Sequence, residues 1–238
     1  MLKPQTKGIL LDTTRCIGCG ACALACKERN KLPKTSDDVL KDELSDKTYS
    51  VVKQVGSRYV RRMCMHCVTP SCASACPVAA FEKTPEGPVV YHESKCMGCR
   101  YCMIACPYHT RSFNWWSPEW PEGMEASLNP DVSIRQRGVV EKCNFCVQRL
   151  QAARAKASAA GKTEIDPADY VPACVEACPS RALSFGDASD PSSEVARLAK
   201  EPESFRLLAS LGTGPKVVYR SSDPAVRERL SKTGVTRG

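Results

Sequence analysis

The chain has 238 residues, 42% of them hydrophobic, and 34 lysines and arginines against 26 acidic residues give a formal net charge of +8. That balance is ordinary for a globular protein. No stretch approaches the roughly 18 uninterrupted apolar residues of a spanning helix, which excludes a direct membrane span. Sixteen cysteines are far above normal usage and demand a chemical reason.

In chain order, Met1 to Leu11 lacks a signal-peptide core and twin arginines, so any export is expected to depend on a partner. Ile9 to Asp12 reads as a strand leading into Cys16, Cys19, Cys22 and Cys26. Asp37 to Asp46 reads as helical. Cys64, Cys67, Cys72 and Cys76 follow, then a strand, a turn at Thr84-Pro85-Glu86-Gly87 and a second strand, Pro88 to Tyr91. The third group is Cys96, Cys99, Cys102 and Cys106. A loop with Trp115, Trp116, Trp120, Pro118, Pro121 and Gly123 separates it from Cys143, Cys146, Cys174 and Cys178. Phe145 to Ala160 reads as an alanine-rich helix ended near Gly161, and Ser192 to Lys200 as a helix capped by Ser192 or Ser193 with Glu194 in its first turn. The tail from Arg220 to Gly238 is polar.

The first and third groups follow C-x-x-C-x-x-C-x-x-x-C, the bacterial ferredoxin run, in which three thiolates on a tight loop hold three iron corners of a 4Fe-4S cube. Gly18, Gly20 and Gly98 supply the backbone freedom that such loops need. The second group widens its middle gap by Val68 to Ser71, and the fourth widens it by residues 147–173, yet both close as C-x-x-x-C-P. Lys27 stands after Cys26, where the other three groups have proline. Disulfides fit poorly, because neighbouring thiols in such triplets are too crowded to pair. Zinc has no use for a third cysteine in each compact triplet.

In two-cluster ferredoxins the fourth cysteine ligates the other cluster, so the groups work in pairs. The second and third are close together, and the first and fourth pair by exclusion. The expected ligand sets are therefore Cys64, Cys67, Cys72 with Cys106; Cys96, Cys99, Cys102 with Cys76; Cys16, Cys19, Cys22 with Cys178; and Cys143, Cys146, Cys174 with Cys26. The expected fold is α+β, two bacterial dicluster ferredoxin-like units, one inserted in the other, with small loops and short helices. The outer unit takes residues 1–56 plus 114–190, the inner unit 57–113, and residues 191–238 form a C-terminal extension. Four 4Fe-4S clusters carrying about two negative charges each would cancel the net +8, so no nucleic-acid partner is expected. Thin hydrophobic cores imply that the clusters supply much of the folding free energy.

This framework resembles the four-cluster iron-sulfur subunits of membrane-associated molybdopterin oxidoreductases: dimethyl sulfoxide, polysulfide and arsenate reductases, formate dehydrogenases, hydrogenases and alternative complex III. The resemblance runs through Arg61-Arg62-Met63-Cys64-Met65-His66-Cys67, Lys95-Cys96-Met97-Gly98-Cys99-Arg100-Tyr101-Cys102, Glu141-Lys142-Cys143-Asn144-Phe145-Cys146 and Gly212-Thr213-Gly214-Pro215-Lys216-Val217-Val218-Tyr219. Asn114-Trp115-Trp116 and Leu128-Asn129-Pro130-Asp131-Val132 look most like the alternative complex III type. The resemblance implies a non-catalytic wire between a molybdopterin-type catalytic subunit and an integral membrane subunit with a quinone or haem site. It implies a peripheral place on the cell membrane, either periplasmic by co-export or cytoplasmic. A soluble polyferredoxin serving several enzymes is the alternative.

Arg15, Arg61, Arg62, His66, Lys95, Arg100 and Lys142 flank the cysteines, where they either raise cluster potentials or serve as ordinary surface and interface charges. The tryptophans either anchor a partner or pack over a cluster. His66, His92 and His109 are structural or tuning residues, since the cysteines already complete four sites.

Overall fold

The computed structural model describes residues 5–118, 122–123 and 132–233. Short elements alternate along the chain: β1 (Lys7–Asp12), α1 (Ala21–Arg29), β2 (Val51–Val55), β3 (Arg58–Arg62), α2 (Ser71–Ser74), β4 (Phe81–Lys83), β5 (Val89–Tyr91), α3 (Tyr101–Ile104), β6 (Ser112–Phe113) and β7 (Val140–Glu141). They continue as α4 (Val147–Ala159), α5 (Ala173–Glu176), β8 (Leu183–Asp187), α6 (Glu194–Leu198), β9 (Ser204–Phe205), β10 (Val217–Arg220) and α7 (Pro224–Thr233). The protein is thus a mixture of helices and small sheets. One sheet has four strands in the order β8-β1-β10-β9, and β2-β3, β4-β5 and β6-β7 are separate two-stranded ribbons.

The four-stranded sheet joins the two ends of the chain. β10 runs parallel to β1, Ile9 opposite Val217 and Leu11 opposite Tyr219, while β8 flanks β1 antiparallel. Residues after 190 are therefore built into the sheet: β9 and β10 lie in it, and α6 packs on β8 and β1. The largest buried cluster contains Ile9, Leu11, Val60, Tyr219 and Leu230, and with them Cys26, Cys64, Cys67, Cys106, Cys143 and Cys174. Cysteine behaves as a small hydrophobe there, so the metal-binding loops and the aliphatic core are one body.

The expected strand into the first group, the β4-β5 hairpin and the two later helices are present, with Ser193 Oγ capping α6 through the Ala196 N–H at 3.1 Å. Asp37–Asp46 is not helical. There the Asp38 carboxylate accepts from the Leu40 N–H at 3.0 Å, and the Lys41 N–H closes on the Asp38 carbonyl at 3.0 Å. Such local bonds let serine and aspartate compete with the helix ladder. Trp120, Pro121 and Leu128 to Asp131 lie outside the described residues.

Lys27, in the place of the usual proline, has a visible consequence. After Cys76, Cys106 and Cys178 the Cys-Pro pair stops the helix, and the third residue on (Ala79, His109, Arg181) takes a left-handed conformation. After Cys26, α1 runs on to Arg29 and the left-handed residue is Lys31. Buried Lys27 pairs with the equally buried Asp42 at 2.8 Å, tying α1 to the turns that replace the expected helix.

Half-buried Arg154 on α4 pairs with buried Glu86 and docks the helix on the β4-β5 turn. Both Glu86 carboxylate oxygens accept from Arg154, Nε at 2.7 Å. Burial works to raise the Glu86 pKa, but the Arg154 hydrogen bonds and charge prevail and hold it below the ordinary 4.5. A depressed carboxylate stabilises the fold above its unfolded pKa and loses that contribution as the pH falls through its folded value. Glu86→Gln should therefore lower stability by about 1–3 kcal/mol at neutral pH and flatten the dependence below pH 4.5. Thermal melts of both proteins across pH 3–7 check this, and parallel acid limbs would refute it.

Candidate metal centres

All four cysteine groups are built on one local plan. The residue two after the first cysteine is left-handed in each: Gly18 at φ 74°, His66 at 44°, Gly98 at 73° and Phe145 at 55°. The glycines are forced by space as well as by φ, because a Cβ on Gly98 would lie 2.4 Å from the Gly138 carbonyl oxygen and one on Gly18 2.7 Å from the Tyr59 ring. Gly98→Ala should cost at least the roughly 1–2 kcal/mol of a left-handed non-glycine residue, with the backbone clash added. Chemical denaturation under anaerobic conditions measures it, and a loss below that range would show that the loop can relax.

In the widened groups His66 and Phe145 accept the same strain and use their side chains. Both are buried, and their rings stack with centroids 3.6 Å apart at 25°, joining the second and fourth loops face to face. His66 Nδ1 accepts from the Val89 N–H at 3.0 Å. The spacing gave no sign of this pair, because the other two loops carry glycine at the equivalent place.

The third cysteine of each group lies in a short helix, and these helices pack as α1 on α5 and α2 on α3, first group with fourth and second with third. Cys178 lines one cavity with Cys16, Cys19 and Cys22. Cys106 lines another with Cys64, Cys67 and Cys72. Among thiols, Cys26 is influenced most by Cys146 and Cys174, and Cys102 by Cys72, Cys96 and Cys76. Cys26, Cys143, Cys146 and Cys174 are all buried, as are Cys64, Cys67, Cys72 and Cys106. Cys19 and Cys99 are exposed, and Cys16, Cys22, Cys178, Cys76 and Cys96 are half-buried.

All sixteen thiols are free of disulfides. Burial, followed by neighbouring thiols, pushes Cys26, Cys67 and Cys102 up to about 12. Cys64 is the exception: it is buried too, but Lys142 and Arg111 draw its thiol below the ordinary value. Sulfur also accepts from the Ala80 N–H at Cys76, 3.3 Å, and from Asn30 Nδ2 at Cys26, 3.6 Å.

The cations provide the test of fit. Arg61 is 2% exposed and Arg111 5%; Arg61 Nε and Nη2, and Arg111 Nε and Nη1, have no hydrogen-bond partner among the described residues. Arg61 lines the cavity of Cys16, Cys19, Cys22 and Cys178, and Arg111 that of Cys64, Cys67, Cys72 and Cys106. Neutral thiols would leave these guanidinium groups buried without counter-charge, at a prohibitive cost. Anionic iron-sulfur groups held by thiolates satisfy both the cavities and the cations. Among the described residues no three Cys, His, Asp or Glu side chains converge on a point suited to one ion.

Of the other residues singled out in the sequence, Arg62 is buried and donates to the Tyr108 carbonyl at 3.2 Å. Arg15, Lys95 and His109 are exposed, and His92 Nε2 lies 2.9 Å from Glu82. Exposed Arg100 lies 5.2 Å from the Phe113 ring centroid and 5.0 Å from that of Trp115. Trp115 and Trp116 are 54% and 77% exposed. The Gly212–Tyr219 ending clasps the second loop, since the Val68, Thr69 and Lys216 N–H groups bond to the Gly214, Thr213 and Met65 carbonyls.

Comparison with known proteins agrees with this chemistry. A 4Fe-4S dicluster domain matches residues 55–122 and a 4Fe-4S binding domain residues 7–28. The chain is 44% identical over 232 residues to the iron-sulfur cluster-binding subunit of a menaquinone reductase from Nitratidesulfovibrio vulgaris, covering 92% of this chain and 90% of the relative. It is 37% identical to iron-sulfur subunit 1 of an Hdr-like menaquinol oxidoreductase from Archaeoglobus fulgidus, covering 83% and 71%. It is 32% identical to the iron-sulfur subunit of an arsenate respiratory reductase from Shewanella, covering 89% and 94%. The chain belongs to the family of 4Fe-4S ferredoxin-type iron-sulfur subunits of oxidoreductase complexes.

Proposed function

We propose that this chain relays single electrons through four 4Fe-4S clusters between a molybdopterin-type catalytic subunit and a membrane subunit bearing a quinone or haem site. The reading assigns Cys16, Cys19, Cys22 and Cys178 to cluster I; Cys143, Cys146, Cys174 and Cys26 to IV; Cys64, Cys67, Cys72 and Cys106 to II; and Cys96, Cys99, Cys102 and Cys76 to III. Bound clusters supply reversible one-electron chemistry. The chain's own residues hold them, exclude water and set the local charge, and no residue is assigned a catalytic role.

The observation that carries the reading is how exposure divides under crossed assignment. Sets IV and II are then buried throughout, and sets I and III each keep an exposed cysteine. Two deep sets between two shallow ones favour a path I, IV, II, III that reaches the surface at both ends. Cys64 is among the thiols acting on Cys143, which supports the central junction. Exposed apolar side chains lie at both ends, Ile17 beside set I and Met97, Tyr101 and Ile104 beside set III, suited to partner subunits. The α1-α5 and α2-α3 packing likewise favours an inner unit at 57–113 within an outer one. Among the described residues no helix is long and apolar enough to cross a membrane, so membrane association is assigned to the partner.

Gentle anaerobic solubilisation of membranes, followed by isolation through a tag on this chain, tests the reading. A pterin-containing subunit and an integral membrane subunit should co-purify, with about sixteen irons on this chain. Recovery as a free monomer would overturn the assignment to a complex, and zinc in place of iron would overturn the wire.

A further inference from the structure

We infer that Arg61, Lys142 and Arg111 form a series of fixed internal cations, one at each of the three junctions between successive cysteine sets, each shared by the two clusters it separates. This rests on the four-cluster assignment above and adds what governs its potentials.

Arg61, on β3, lines the cavity of set I. Burial opposes its charge, while thiols of both sets favour it, Cys22 of set I and Cys174, Cys143 and Cys26 of set IV. Its Nη1 lies 2.8 Å from the sulfur of Met63, which is buried in the same cluster as Cys26, Cys143 and Cys174 of set IV. Lys142, 1% exposed, precedes Cys143 of set IV; its Nζ donates to the Cys143 carbonyl at 2.8 Å and to the Val89 carbonyl. Val89 in turn bonds His66, between Cys64 and Cys67 of set II. Burial, with Arg111 nearby, lowers the Lys142 pKa, and the thiols that favour its charge are Cys64 and Cys72 of set II and Cys143 of set IV. Arg111 lines the cavity of set II, donates to Cys72 Sγ and lies 4.1 Å from the Phe81 ring centroid. After burial, the groups acting on it are Cys64, Cys72 and Cys106 of set II and then Cys102 of set III.

The buried carboxylates among the described residues do not neutralise this series, because each is engaged elsewhere: Asp12 by Arg220, Asp42 by Lys27, Glu86 by Arg154 and Glu141 by Arg135. The negative charge facing the three cations is therefore that of the thiolates and of the clusters they would hold. An electron arriving on a cluster adds one negative charge, and in a poorly polarisable interior a nearby cation offsets it strongly. A cation between two clusters favours the reduced form of both, so electrons pass between sites kept at similar potentials.

Arg61→Gln, Lys142→Met and Arg111→Gln, each made in the intact complex, test this by redox titration followed by low-temperature EPR. Each should lower two of the four midpoint potentials, by at least a tenfold change in the reduction equilibrium, about 59 mV for one electron. Arg61→Gln and Lys142→Met should share one shifted cluster, Lys142→Met and Arg111→Gln another, and Arg61→Gln and Arg111→Gln none. This overlap needs no prior assignment of signals. A single shifted cluster per variant, a uniform shift of all four, or no shift would overturn the inference. Where a neutral variant fails to retain iron, Arg61→Lys or Arg111→Lys decides: retained iron with unshifted potentials supports a charge role, and lost iron overturns it. Fewer than about sixteen irons in the unmutated chain would instead overturn the four-cluster assignment itself.

Discussion

Removing iron from the anaerobic protein should abolish its cooperative unfolding transition rather than lower its midpoint. α2, α3 and α5 have four residues each, far below the length at which a helix persists by itself. Each is held because its cysteine is held. Six cysteines lie inside the largest hydrophobic cluster, so loosening them opens the core that carries β1 and β10. Iron removal also strips Arg61, Lys142 and Arg111 of counter-charge, and an uncompensated buried charge costs about 3–5 kcal/mol. Three such charges rival the whole stability of a domain, roughly 5–15 kcal/mol. Near-UV circular dichroism and amide exchange on chelated protein make the comparison. Protected amides persisting in Ile9 to Leu11 and Val217 to Tyr219 after complete iron loss would show a core that stands without metal.

Much of this was legible from spacing alone, because cluster chemistry constrains sequence locally. The three Cys-Pro closures, the hairpin around Thr84 to Gly87 and the strand before Cys16 each follow from a few adjacent residues. The parallel pairing of Ile9 with Val217 was not legible, since nothing local in either strand names a partner at the far end of the chain. Asp37 to Asp46 misled because its composition suits a helix, whereas its aspartates bond to their own backbone and to Lys27. Charge was the least readable property. The net +8 looks like a surface feature, yet Lys7, Lys27, Arg61, Arg62, Arg111, Lys142 and Lys216 are all buried. Arg111, five residues beyond Cys106, carries no motif that would mark it as facing sulfur.

Replacing the fourth cysteine of one group should destroy the cluster of another. If the sets cross, Cys26→Ala removes the same EPR signal as Cys146→Ala, and Cys178→Ala removes the same one as Cys19→Ala, each with the loss of about four irons. If each group instead serves its own cluster, Cys26→Ala matches Cys19→Ala and Cys178→Ala matches Cys146→Ala. Two observations favour the first outcome: Cys178 lies in the cavity of Cys16, Cys19 and Cys22, and Cys178 acts on Cys16 more strongly than Cys19 does. Burial adds a difference of degree. Cys26, on α1, is buried where that helix packs on α5 of the fourth group, so its loss should destabilise the protein more than that of Cys19, which is exposed and contributes little packing. Equal losses of stability in the two variants would mean that the deep and shallow sets do not differ in how they hold the fold, and the order I, IV, II, III would lose its main support.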